Sequence, residues 1–272
     1  MPSSSVGYIL GFCTAVCLVC AVFVSSSAVG LKEKQEANKV LDRQKKVLGV
    51  AGLLEEGQKI SPEEVQALFD SRIRPELVDL TKDAPSDAEF DPGTFDQQAI
   101  AADPDTSSEA PKNKAGVQRV PNQALIYRVS AAPIQGDSFE TSQYIFPVEG
   151  KGLWSTLYGY VALAPNGNEI KGLTFYQHGE TPGLGGEVDN PGWKAKWQGR
   201  LAYGDKGSEP GSWGAPQIRV VKGQAGPVGT DPHQVDGLSG ATITSNGVTN
   251  LLQFWLGEPG FGPFIKTHVA KG

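Results

Sequence analysis

A chain of 272 residues has room for one sizeable domain and an anchor segment. Its formal net charge of -6, with no basic patch interleaved with aromatics, argues against nucleic-acid binding. All three cysteines, Cys13, Cys17 and Cys20, fall in one apolar stretch, which excludes a disulfide framework, a thiolate metal site and a cysteine nucleophile from the rest of the chain.

Residues 6–24 are uncharged and mostly apolar, and the uncharged run continues to Leu31. A helix needs about 20 such residues to cross a bilayer. A cleaved signal peptide is the competing reading, with Ser-Ser-Ala as a candidate cleavage site. No Lys or Arg precedes Lys32, so the basic leader of a signal peptide is missing. An uncleaved single-pass anchor over residues 1–31 is therefore expected. Cys13 and Cys17 share a helix face there, where lipid contact or packing outranks metal binding. Lys32, Lys34, Lys39, Arg43, Lys45 and Lys46 follow the span, mixed with Glu33, Glu36 and Asp42. By charge alone this side stays in the cytoplasm.

Residues 32–48 read as a charged helix leaving the membrane, with Val40, Leu41, Val47 and Leu48 on one side. Mixed charge on a helix is usually a solvated face. Ser61-Pro62-Glu63-Glu64 opens a second helix with an N-cap, a proline in the first turn and a capping-box Glu. Val65, Leu68 and Phe69 give it an apolar face. Residues 84–113, rich in Asp, Ser, Pro and Ala, read as a flexible surface excursion without chemistry of its own. These parts make a membrane-proximal segment of residues 32–120.

The texture then changes. Residues 124–129, 143–148, 155–163, 172–177 and 218–221 read as strands, with Pro165-Asn166-Gly167-Asn168 as a hairpin turn. Residues 193–198 read as a short helix. Residues 246–256 carry Val248, Leu251, Leu252 and Trp255 at i, i+3, i+4 and i+7, one face of an amphipathic helix that Gly257 and Pro259 stop. The expected fold class is α+β: a single N-terminal transmembrane helix, then a soluble domain over residues 121–272 with a twisted antiparallel sheet and flanking helices.

Two stretches carry chemistry. In Val235-Asp236-Gly237-Leu238-Ser239-Gly240-Ala241-Thr242-Ile243-Thr244-Ser245, a hydroxyl-rich turn precedes the helix. Gly240 and Ala241 leave room for another body to approach the backbone. Thr242 is then an accessible hydroxyl, open to esterification, and a phosphoryl group on it lies near a helix N-terminus that favours negative charge. The plain alternative is a Gly-rich turn with Thr244 or Ser245 as N-cap. In His178-Gly179-Glu180-Thr181-Pro182-Gly183-Leu184-Gly185-Gly186-Glu187 the glycines allow a tight turn against a flat ring, whose edge Thr181 and the amides can hydrogen-bond. By itself such a loop is more often only a turn. Glu180 and Glu187 could pass for paired carboxylates, but solvent-exposed loop acids are the default reading. His178, His233 and His268 are too dispersed for a metal site. Ser239 fails the Gly-x-Ser-x-Gly pattern at Ala241, so a hydrolase triad is not expected.

The stretch from Asp236 to Thr242 resembles the flavinylation motif Asp-Gly-x-Ser/Thr-Gly-Ala-Thr, whose last Thr carries FMN through a phosphoester bond. With the stretch from His178 to Glu187, it resembles the FMN-binding domain of the NqrC subunit of the Na+-translocating NADH:quinone oxidoreductase, and of the RnfG subunit of the related Rnf electron-transport complex. Residues 30–46 resemble the segment after the anchor in NqrC, and residues 150–155 and 220–223 resemble its strands near the flavin. The resemblance covers most of the chain and is weakest over residues 82–120. It implies FMN on Thr242, transferred from FAD by a separate flavin transferase. It also implies that Thr181, Gly183 and Leu184 pack on the ring, that Trp154 lines the pocket, and that Ser239 and Gly240 shape the attachment turn. A core Trp is the other reading of Trp154. Lys222 is implied to face the flavin and favour its reduced forms; a solvated strand-end lysine is the alternative.

A flavin offers one-electron transfer that no side chain here supplies. The resemblance thus implies a redox subunit relaying electrons from NADH toward ubiquinone, coupled to Na+ export and inactive alone. Its partners would be the other subunits, the flavin transferase and membrane lipid, with no nucleic acid. It implies a bacterial inner-membrane protein whose domain faces the periplasm, opposite to the charge rule, and we follow the resemblance. The alternatives are the Rnf-type subunit, or a membrane-anchored non-redox binding module with an unmodified turn.

Overall fold

The computed structural model describes residues 6–270, apart from residues 56, 135, 137, 138, 205–208 and 210 and the side chain of Glu33. Residues 1–5 of the expected anchor, the Glu33 side chain of the charged stretch and the last two residues of the expected domain lie outside what is described. The chain divides into two units, Met1–Asp42 and Arg43–Gly272.

The first unit is the leading part of α1 (Val6–Val50). No proline interrupts residues 6–50, and a single glycine does not end a helix. The expected anchor and the expected charged helix are therefore one helix of 45 residues. Val6–Lys32 is long and apolar enough to cross a membrane, and none of it is buried.

In the second unit the chain forms α2 (Pro62–Arg72), β1 (Ile73–Asp79), β2 (Ala84–Pro85), α3 (Gln97–Ala102), β3 (Ser107–Glu109), β4 (Arg119–Pro121), β5 (Gln123–Ser130), β6 (Thr141–Lys151), β7 (Thr156–Leu163), β8 (Ile170–Gln177), α4 (Pro191–Lys194), β9 (Arg219–Val220), β10 (Gln234–Val235), α5 (Thr242–Trp255) and α6 (Gly262–Phe264). A six-stranded sheet runs in the order β2-β1-β5-β6-β7-β8, antiparallel throughout. This is the expected α+β fold with an antiparallel sheet and flanking helices. The capping box forms at Ser61 and Glu64 as the sequence reads. So does the turn between β7 and β8, where Asn166 Oδ1 accepts from the amides of Asn168 and Glu169, and Gly167 takes φ +70°.

Alternate side chains of each strand face opposite sides, and both sides are covered. Ile126, Phe146, Val148, Val161, Leu173 and Phe175 join Leu251, Leu252 and Trp255 of α5 in one core. On the other side Tyr127 meets Phe69 of α2 and Tyr160, with ring centroids 6.1 and 5.9 Å apart. The end of α1 closes this layer: Val47 and Leu48 are buried, and Lys46 Nζ donates to Phe175 O at 3.3 Å. Burying each large apolar side chain contributes about 1.5–3 kcal/mol.

Three expectations differ from the structure. Residues 218–221, expected as a strand of the sheet, shrink to β9, which pairs in parallel with β10 apart from it. The run 84–113 is not a bare excursion but holds β2, α3 and β3, with Asp91 and Asp96 accepting hydrogen bonds from nearby amides. β1, drawn from residues not read as a strand, pairs with β5 inside the sheet.

Candidate functional site

The helix expected over residues 246–256 starts four residues earlier, at Thr242. Its N-cap, Ala241, offers no side-chain hydrogen bond. Thr244 and Ser245, the plain candidates for capping, serve elsewhere: Thr244 Oγ1 donates to Glu180 Oε2 at 2.6 Å, and Ser245 Oγ accepts from the Leu238 amide at 3.1 Å. Thr244 is 0% exposed and Ser245 is buried, whereas Thr242 and Ser239 are exposed. The first turn of α5 thus presents amide donors without a side-chain acceptor, an arrangement suited to an anion.

α5 reaches the sheet closely because glycines face it. A Cβ on Gly247 would stand 2.5 Å from Lys151 O, and one on Gly150 would stand 2.5 Å from Leu251 Cβ. Trp255 Nε1 donates to Glu149 O at 2.7 Å. These contacts set the helix start beside the 152–155 loop that joins β6 to β7.

Glu180 ties the site together, and sequence reasoning missed it. Read as a solvent-exposed loop acid, it is buried. Its carboxylate accepts from the amides of Leu153 (3.2 Å), Trp154 (3.0 Å) and Ser155 (3.3 Å), and from Thr244 Oγ1. Burial works to raise its pKa; the donors from Thr244, Trp154, Leu153 and Ser155 outweigh that and hold it below the usual carboxylate range. Two glycines make the room: a Cβ on Gly152 or on Gly185 would stand 2.6 Å from a Glu180 carboxylate oxygen. The Glu180 amide donates to His178 Nδ1 at 3.2 Å, which leaves His178 Nε2 as the protonated nitrogen, 2.8 Å from Asp189. The only sequence signal for this clamp is a carboxylate set among glycines.

The clamp brings together most of the residues singled out in the sequence. Trp154 sits on one loop; Thr181, Gly183 and Leu184 sit on a second; Ser239 and Gly240 sit on a third, which Thr242 follows at the start of α5. All of these are exposed. A Cβ on Gly240, at φ +71°, would meet Leu184 Cδ2 at 2.9 Å, so the second and third loops touch. Gly183, at φ +76°, faces open space. Trp154 is 71% exposed and is not a core residue. Among the described residues, five large apolar side chains beyond residue 31 are exposed, and Leu153, Trp154, Leu184 and Ile243 of these stand on the joined loops. Lys222 is exposed on the loop after β9, where Gly237 N donates to Gly223 O at 2.8 Å; among the described residues its side chain has no ion pair. Asp236 is turned inward: Lys196 bonds its Oδ2, and the Ala225 amide donates to Oδ1 at 2.9 Å.

These residues fit FMN. Thr242 is an exposed hydroxyl beside uncapped amides that suit a phosphate, and Leu184 and Trp154 are exposed apolar side chains on the neighbouring loops that suit a flat ring. A separate cleft of about 440 Å³ lies beside the turn end of the β6–β7 hairpin, lined in part by Glu149, Lys151, Tyr158 and Arg119. Burial there pushes the Glu149 carboxyl up to about 7.

Comparison with known proteins agrees with this geometry. The FMN-binding domain family matches residues 152–257, which span all three loops. The chain is 45% identical to the NqrC subunit of the Na(+)-translocating NADH-quinone reductase of Yersinia pestis, over 99% of this chain and 95% of that protein. It is 46% identical to the corresponding subunit of Pseudomonas aeruginosa, over 94% and 93%. Among solved structures it resembles Shewanella oneidensis NqrC with a TM-score of 0.72 and 36% identity, covering 84% of this chain and 97% of that one. The corresponding subunit of Parabacteroides distasonis gives a TM-score of 0.62 at 25% identity, over 88% and 98%.

Proposed function

This chain belongs to the NqrC family, one of the subunit families of the Na(+)-translocating NADH-quinone reductases, and from that premise we propose that it holds FMN as a phosphoester on Thr242. It is a redox subunit of that membrane complex, anchored by an apolar N-terminal helix, and its partners are the other subunits. The Rnf-type reading and the non-redox module fall away, since the relatives matched over 93–95% of their length are NqrC subunits.

One observation carries the attachment reading: Thr242 is an exposed hydroxyl on the first residue of α5, while Thr244 and Ser245 have theirs buried and engaged. When bound, FMN supplies the one-electron chemistry that no side chain offers. The chain's own residues bind and orient it. The α5 amides and helix dipole favour the phosphoryl charge, by about 0.3–1 kcal/mol in exposed settings. Leu184 and Trp154, both exposed apolar side chains, would give apolar contact to the ring. Thr181 and Gly183 would offer hydroxyl and backbone to its edge, Ser239 and Gly240 would shape the turn, and Lys222 would supply a positive charge. A flavin transferase performs the attachment, so Thr242 needs no local base. In this reading residues 1–31 anchor the chain, residues 32–120 are membrane-proximal, and flavin binding resides in residues 121–272, facing the periplasm.

Peptide mass spectrometry tests the attachment. The expected result is the mass of FMN less one water on Thr242. Finding that mass on Thr244 or Ser239, or on no residue, overturns the assignment.

A further inference from the structure

A loop whose successive amides converge makes a concavity for an anion. The amides of Leu153, Trp154 and Ser155 do so in the hairpin tip between β6 and β7, and all three donate to Glu180. A buried charge persists only where donors satisfy it; the fourth donor is the Thr244 hydroxyl. One internal carboxylate thus spends the anion-binding capacity of one loop and the hydroxyl of the nearest competing threonine. The exposed Thr242 and the uncapped amides of α5 remain open.

We propose that Glu180 is the positioning residue of the flavin site: it fills the amide nest of the 152–155 loop and locks Thr244, so the phosphoryl group is directed to Thr242 and the start of α5. This rests on the Thr242 reading. Three features follow. The backbone of residues 153–155 is drawn inward, which leaves the Trp154 side chain outward on the rim. The Thr244 contact fixes the first turn of α5 against the Thr181–Leu184 loop. A negative charge is also held within the joined loops, where it would oppose the gain of negative charge on reduction of a flavin bound there.

The last two features separate in two variants of the full chain, made with the flavin transferase present. Glu180→Gln removes the charge, and its amide cannot accept from all four donors. Thr244→Val removes the link to α5 and keeps the charge. Mass spectrometry of the parent comes first: a parent without FMN on Thr242 overturns both the attachment reading and the role of Glu180. With FMN on the parent Thr242, Glu180→Gln is expected to favour reduced flavin about tenfold, an upward shift of about 59 mV for a one-electron step, and to lower flavin fluorescence anisotropy. Thr244→Val is expected to lower the anisotropy while leaving the potential at the parent value. Parent-like potential and anisotropy in Glu180→Gln overturn the proposal and leave Thr242 attachment standing. If Glu180→Gln does not fold, Thr244→Val decides: unchanged anisotropy overturns the proposal, and a loss at constant potential supports it.

Discussion

Thr242 and Thr244 stand on one turn of α5 and meet opposite surroundings, one exposed and one sealed against Glu180. The motif from Asp236 to Thr242 made Thr242 legible, because small residues before a helix advertise an open hydroxyl. Glu180 was not legible: its burial comes from loops 25 to 64 residues away in sequence. Lys222 is open to solvent on its loop, and its proposed role rests on charge alone. Lys222→Met is expected to lower the flavin midpoint potential and leave attachment on Thr242 intact; a redox titration that overlays the parent removes Lys222 from the site. Glu149 is a third kind of residue, a carboxyl that burial holds up at about 7 against an ordinary value of 4.5. Below the ordinary value both folded and unfolded chains carry its proton. As pH rises through the interval the unfolded chain releases the proton first, so the folded state loses relative stability until about pH 7. Glu149→Gln is therefore expected to be more stable than the parent at pH 8, by roughly 2 kcal/mol at 1.36 kcal/mol per pKa unit with solvent screening allowed for, and equal to it at pH 4. Urea unfolding of the detergent-solubilised chain at the two pH values checks this.

The strands from β5 to β8 were readable because apolar and β-branched residues dominate them and turn residues bound them. β1 was not. It holds Arg74, Pro75, Glu76 and Asp79, a poor strand composition. Pro75 is tolerated because β2 pairs only with Val78 and Asp79, so the Pro75 end of β1 has a neighbour on one side alone, β5. The early start of α5 escaped notice for a related reason. Thr242, Ile243, Thr244, Ser245, Asn246 and Gly247 are weak helix formers, and tertiary bonds to Glu180 and Leu238 hold that turn. Propensity scores the segment in isolation, where those partners do not exist. The loop carrying the clamp is equally demanding. A Cβ at Gly185 would lie 2.6 Å from Glu180 Oε2 and 2.7 Å from Thr244 Oγ1. Gly185→Ala is expected to destabilise the protein by about 1–3 kcal/mol, the usual cost of overpacking a closed site, whereas Gly183→Ala meets no neighbouring atom and bears only the strain of its positive φ. Denaturant midpoints of the two variants against the parent measure the difference.

At the scale of the whole chain, an apolar helix and a cysteine-free sheet domain follow one another. Composition made that division readable, since an uncharged run needs no tertiary information to be recognised. The side of the membrane was not readable, because the basic residues after the span point one way and family resemblance the other. A periplasmic domain gives an active C-terminal alkaline phosphatase fusion and a silent cytoplasmic reporter; the reverse pattern overturns the orientation. The exposed rim of Leu153, Trp154, Leu184 and Ile243 has its own consequence for how such a chain matures. Before loading, it shows the solvent an oily spot of the kind that marks an unfinished surface. Under the proposed placement, a bound ring would cover it. On the proposed placement, attachment would finish the surface as well as arm the protein, and a chain that missed its flavin would be left adhesive at that rim.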